Sequence, residues 1–100
     1  MATDYYKRKT FTRAEGILRT CLISDYRYAW GGKDSSMLVF FLPTSTEETT
    51  LQKVLEYMLK AFRAADCIIG PSAPDKEPVT GNPNKFTRTI VIRFKAKEVK

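Results

Sequence analysis

The stretch Ser45-Thr46-Glu47-Glu48-Thr49-Thr50-Leu51, continuing to Lys60-Ala61-Phe62, decides the class of this chain. Leu51, Val54, Leu55, Met58, Leu59 and Phe62 recur at three- and four-residue steps, the stripe of a helix packed on one face. Ser45 with Glu48 three residues on has the form of a capping box, and Pro43 separates this helix from what precedes it. A helix over 46–65 would run roughly 30 Å, the diameter of a small domain. Its remaining charges balance, Glu47, Glu48 and Glu56 against Lys53, Lys60 and Arg63, with Glu56 and Lys60 well placed as an i,i+4 pair. This helix reads as scaffold and not as a phosphate-binding face.

Strands are expected on both sides of it. Met37 to Leu42 (MLVFFL) is an apolar run of strand length, apolar on both faces, which suits the centre of a sheet. Phe86 to Lys95 (FTRTIVIRFK) alternates, with Ile90, Ile92 and Phe94 on one face and Thr87, Thr89, Val91, Arg93 and Lys95 on the other. Tyr26-Arg27-Tyr28-Ala29-Trp30 alternates as well, and Gly31 to Ser36 joins it to the 37–42 strand as a hairpin. Cys67-Ile68-Ile69 is a short candidate strand for pairing with the C-terminal one.

Residues 12–24 fit a helix better than a strand. Thr12 with Glu15 repeats the capping-box form, and Ala14, Ile17, Leu18, Cys21 and Leu22 make one face, against a cost of about 1 kcal/mol for Gly16 inside a helix. Residues 70–85 hold four of the five prolines without periodicity and read as a long loop, either disordered or used for binding.

The expected class is α+β, a small antiparallel sheet with two helices on one face. Two element orders satisfy it. A ferredoxin-like βαββαβ order takes Tyr5–Phe11 as its first strand, although Tyr-Tyr-Lys-Arg-Lys suits a buried strand poorly. An αββαββ order uses Cys67–Ile69 as a strand and leaves residues 1–10 as a flexible basic arm.

The chain has 100 residues, 43% hydrophobic and 28% charged, which fits one domain, 1–100, with an ordinary globular balance. No apolar core follows the basic amino-terminal residues, and no apolar run approaches membrane-spanning length. Cys21 and Cys67 each lie in an apolar pattern and read as buried reduced thiols. The cytoplasm or a host-cell interior is therefore the expected location, with no membrane partner.

Catalytic chemistry has little to work with. The chain contains no histidine, which removes Ser-His-Asp and Cys-His arrangements and His-ligated metal sites. Gly31-Gly32-Lys33 is followed by Asp34 where a phosphate loop needs Ser or Thr. Neither an enzymatic activity nor a metal or cofactor is expected.

Binding features are stronger. Net charge is +6, and it sits at the ends: Lys7, Arg8, Lys9 and Arg13 against Asp4, then Lys85, Arg88, Arg93, Lys95, Lys97 and Lys100 against Glu98. Small-domain termini often lie close together, so the two ends could form one basic patch. Tyr5 and Tyr6 interleave with the first group, supplying rings for bases beside cations for phosphates. The leading expectation is a nucleic-acid-binding protein of low sequence specificity, for DNA or RNA, single strands favoured. Its site would be Tyr5, Tyr6, Lys7, Arg8, Lys9, Arg13, Arg88, Arg93, Lys95 and Lys97, with Thr87 and Thr89 as neutral phosphate donors. The competing account of the same charges is solubility and protection of an edge strand. Tyr26, Tyr28 and Trp30 share a strand face. They are core if the helices cover them, and a stacking platform or subunit interface if not. The alternative function is a protein-interaction or assembly module, a homo-oligomer or a small viral or accessory inhibitor of a larger complex.

Overall fold

The computed structural model describes residues 2–32, 36–63 and 65–94, residues 2–6 by backbone alone. Its elements run α1 (Ala2–Thr20), β1 (Arg27–Gly31), β2 (Met37–Leu42), α2 (Glu48–Ala61), β3 (Ala65–Ile69) and β4 (Arg88–Phe94). The strands form one antiparallel sheet in the order β1-β2-β4-β3. The class is α+β, with the element order αββαββ.

The amino-terminal segment corrects the sequence reading. Residues 2–10 are not an arm, and Tyr5–Phe11 is not a strand; both lie within α1. The reason is a four-residue step that begins earlier than the apolar residues suggest. Thr10, Ala14, Leu18 and Cys21 are all buried, so the helix inserts a hydroxyl where a hydrophobe was sought. Thr12 consequently lies mid-helix and caps nothing.

The second helix keeps its stripe but changes its ends. It starts at Glu48, with Glu47 in extended conformation as N-cap and no side-chain cap bond, so the Ser45 capping box is not formed. The preceding residues are engaged elsewhere. The Thr46 amide donates to the Pro43 carbonyl, the Thr44 amide to Lys85 O, and the Thr44 hydroxyl meets that of Thr87 at 2.8 Å. At the other end the helix stops at Ala61, short of residue 65, because Phe62 leaves helical geometry and packs edge-on to Phe94, centroids 6.2 Å apart.

Strand register determines what each sheet face carries. On one face, Tyr28, Phe40, Ile90 and Ile69 form a cross-strand row, and Trp30, Leu38, Ile92 and Cys67 form the next. All of these but Tyr28 pack with Leu51, Val54, Met58 and Phe62 from the α2 side, and with Ala14 and Leu18 of α1 and Cys21 just after it, into a single core. Both helices therefore cover the same face. Arg13 ties them together, its Nη1 donating to Ala61 O, one of the carbonyls left open at the end of α2, at 3.3 Å.

Residues 70–87 are better ordered than a proline-rich loop. The amides of Gly70 and Ala73 donate to the carbonyls of Thr89 and Thr87, and farther out those of Asn84 and Glu77 donate to Asp75 and Asn82. The segment is an irregular hairpin that prolongs β3 and β4, with Val79 at its tip, 94% exposed.

Candidate nucleic-acid interface

The rotation of α1 is fixed by three contacts, two with β1, which sits at the edge of the sheet, and one with Tyr26 just before it. The Lys7 ammonium lies 5.3 Å from the Trp30 ring centroid, the Phe11 and Tyr28 centroids are 4.5 Å apart, and the Tyr26 hydroxyl donates to Glu15 Oε2. Four helical residues advance about 6.0 Å and two strand residues about 6.7 Å, so three rungs stay aligned before the elements drift apart. Tyr26 and Trp30 thereby pack against the core, while Tyr28 remains 51% exposed beside Phe11.

With that side of α1 held against the sheet, its outer side presents Arg8, Lys9, Thr12 and Arg13. These four residues line one surface depression of about 440 Å³. The i,i+4 pairs Arg8/Thr12 and Lys9/Arg13 follow directly from the helix period. Arg13 also lies 6.0 Å from the Phe62 ring, which orients it. Among the described residues, no carboxylate lines this depression. Arg19 extends the basic face by nearly two turns, 3.9 Å from Glu15.

The other expected phosphate contacts are not assembled with these. Arg88 pairs with Glu48 at 2.6 Å, beside the first turn of α2. Arg93 lies on the sheet face away from the helices, directly across from Asp66 in the register. Arg88 and Arg93 thus lie on opposite faces of the sheet, Arg88 beside α2 and Arg93 away from both helices. Lys95 and Lys97 lie outside the described residues, as do the side chains of Tyr5 and Tyr6. Thr87 and Thr89 are buried with their hydroxyls engaged, Thr87 with Thr44 and Thr89 donating to Pro71 O at 2.8 Å, so neither is open to a phosphate.

Thr12 and Arg19 were missed as site residues by sequence reasoning. The spacing of Thr10, Ala14 and Leu18 carried the signal, because it extends the helix toward the amino terminus and turns 8, 12 and 19 outward together. A second depression, of about 800 Å³, lies beside the end of α1 and includes Glu15, Arg19, Asp25, Tyr26, Arg27 and Tyr28. Its two acids offset its two bases, which makes it a weaker anion site.

Titration behaviour is structural. Burial, then the bond to Glu15, pushes the Tyr26 hydroxyl up to about 12. Burial raises Cys21, and it pushes Cys67 up to about 11. Both cysteines are free and buried, so each stays a protonated thiol near neutrality. Among the described residues, no group of three His, Cys, Asp or Glu could hold a metal ion, and no helix is long and apolar enough to cross a membrane. No protein-family model, curated protein or solved structure matches this chain.

Proposed function

We propose that this domain binds nucleic acid with low sequence specificity through the outer face of α1. The observation that carries the reading is the depression lined by Arg8, Lys9, Thr12 and Arg13, three cations and a hydroxyl donor with no carboxylate among the described residues. Cations held at one-turn spacing on a fixed helix engage successive phosphates whatever the bases are. The exposed ring of Tyr28, one helix side away and held at a tilt against Phe11, offers a platform to an unpaired base, which favours single strands over duplex. The role is binding, with no catalytic step, cofactor or metal, in the cytoplasm or a host-cell interior.

Filter-binding titrations of single-stranded oligonucleotides at two salt concentrations test it. Three phosphate contacts imply a loss of affinity of about 20-fold between 50 and 200 mM salt. Weak binding that ignores salt would sink the reading.

The second reading, a protein-interaction or assembly module, has its own observation in its favour. The sheet face away from the helices carries Met37, Val39, Phe41, Val91 and Ile68, which is more apolar than an antiparallel sheet in contact with water needs to be.

A further inference from the structure

We propose that the second depression, beside the end of α1, holds one unpaired base of the bound strand and prefers guanine. The inference rests on the nucleic-acid reading of α1 and adds a single base preference to it. Four charged side chains line this depression, Glu15, Arg19, Asp25 and Arg27, and three of them are already engaged. Glu15 accepts from the Tyr26 hydroxyl and lies 3.9 Å from Arg19, while the Arg27 guanidinium sits 4.9 Å from the Phe86 ring centroid. Asp25 is exposed, and among the described residues its carboxylate meets neither a cation nor a hydrogen-bond donor. Ser24 and the Tyr28 ring line the same depression, the ring 51% exposed and packed at a tilt against Phe11.

These groups suit a base and not a phosphate. A carboxylate only accepts, so it repels phosphate oxygens and takes N–H donors, and a half-exposed ring offers a stacking face. The Watson–Crick edge of guanine carries two adjacent donors, N1–H and the N2 amino group, which a carboxylate accepts as a bidentate, charge-assisted pair. Adenine and cytosine set one amino donor beside a ring-nitrogen acceptor, and thymine sets a single N3–H between two carbonyls. Each of these leaves a carboxylate oxygen against a lone pair. Continuity with the basic face brings a strand to this place. Arg19 lines the depression and stands seven residues beyond Thr12, on the same side of α1 and about 10.5 Å farther along its axis. A strand with phosphates at Arg8, Lys9 and Arg13 reaches it within a few nucleotides.

Fluorescence anisotropy titrations of the full chain at fixed salt test this. The probes are labelled thymidine decamers, either uniform or with one central guanine, hypoxanthine, adenine or cytosine. The guanine oligonucleotide should bind about tenfold more tightly than uniform thymidine. Hypoxanthine, which lacks the N2 amino group, should fall with adenine and cytosine to within about threefold of thymidine. Asp25→Asn should abolish the guanine preference and leave thymidine affinity unchanged or slightly higher, since it removes a negative charge near the strand. Circular dichroism checks the fold of this variant, and hypoxanthine makes the matching deletion on the ligand, with the wild-type protein. Equal, salt-sensitive binding of all the oligonucleotides overturns the guanine pocket and leaves the α1 reading standing. A guanine preference that survives either Asp25→Asn or hypoxanthine overturns the pairing with Asp25. Binding of none of them overturns the α1 reading and this inference with it.

Discussion

The ring of Phe11 on α1 packs at a tilt against that of Tyr28 on β1, centroids 4.5 Å apart, as the middle rung between Lys7/Trp30 and Glu15/Tyr26. This seam links core packing to the candidate site. It holds one side of α1 against the sheet edge, and the helix period then decides which residues turn outward. Phe11 also lies 5.8 Å from Phe40 at the centre of the core. Phe11→Ala should destabilise the domain by about 2–3 kcal/mol, below the ~3–5 of a fully buried phenylalanine. A urea melt with an unchanged midpoint would mean that the seam does not secure α1.

Tyr26 gives stability a pH window. Its hydroxyl titrates near 10 in the unfolded chain and is pushed up to about 12 in the fold, by burial first and the Glu15 bond second. A folded value above the unfolded one gives stability that is complete below about 10 and lost as pH rises toward 12. Cys67, pushed up to about 11 by burial, loses its contribution between about 9 and 11. Denaturation of wild type and Tyr26→Phe from pH 8 to 12 should therefore show curves that converge as pH rises. Parallel curves would refute the assignment.

Two residues in α1 and its cap stand at positions that suit others better. Gly16 lies inside the helix on the exposed side, with open space where a Cβ would be. Leu22 ends it with φ +64 and a side chain 91% exposed, in the left-handed position where glycine is usual. The Ile23 amide reaching back to Leu18 O at 2.9 Å completes a Schellman-type closure. Gly16→Ala and Leu22→Gly should each stabilise by about 0.5–1 kcal/mol, read from thermal melts, and should add because they act on separate terms.

The distribution of cations predicts which of them matter for binding. Arg88→Gln breaks a largely exposed pair with Glu48, worth about 0.2–1 kcal/mol of stability, and should leave oligonucleotide affinity nearly unchanged. Arg93→Gln, on the far face, should do the same. Arg8→Gln should weaken binding by contrast. Equal effects from all three, in filter binding at fixed salt, would point to net charge and away from a site.

Much of the fold was legible because burial leaves a periodic trace. The stripe from Leu51 to Phe62, the run from Met37 to Leu42 and the alternation from Arg88 to Phe94 each gave their element directly. The amino terminus was illegible because a buried hydroxyl, Thr10, stands where the pattern needs a hydrophobe. Residues 70–87 were illegible because backbone bonds hold them, and these leave no mark on side-chain pattern. The site suffered from the same gap. Lys7, Arg8, Lys9 and Arg13 were visible as charge, but that they share a helix, and that Arg88 and Arg93 face elsewhere, depends on a helix start and a strand register that composition does not encode.

The outer face of α1 is tested most directly by the salt dependence of single-strand binding in wild type and in the double variant Arg8→Gln/Lys9→Gln, which spares Arg13 and its bond to Ala61. Wild type should give a plot of log affinity against log salt with a slope near −2 or steeper, and the variant a slope shallower by about 1.4. An identical slope in the two proteins, or no salt dependence in either, would contradict the account.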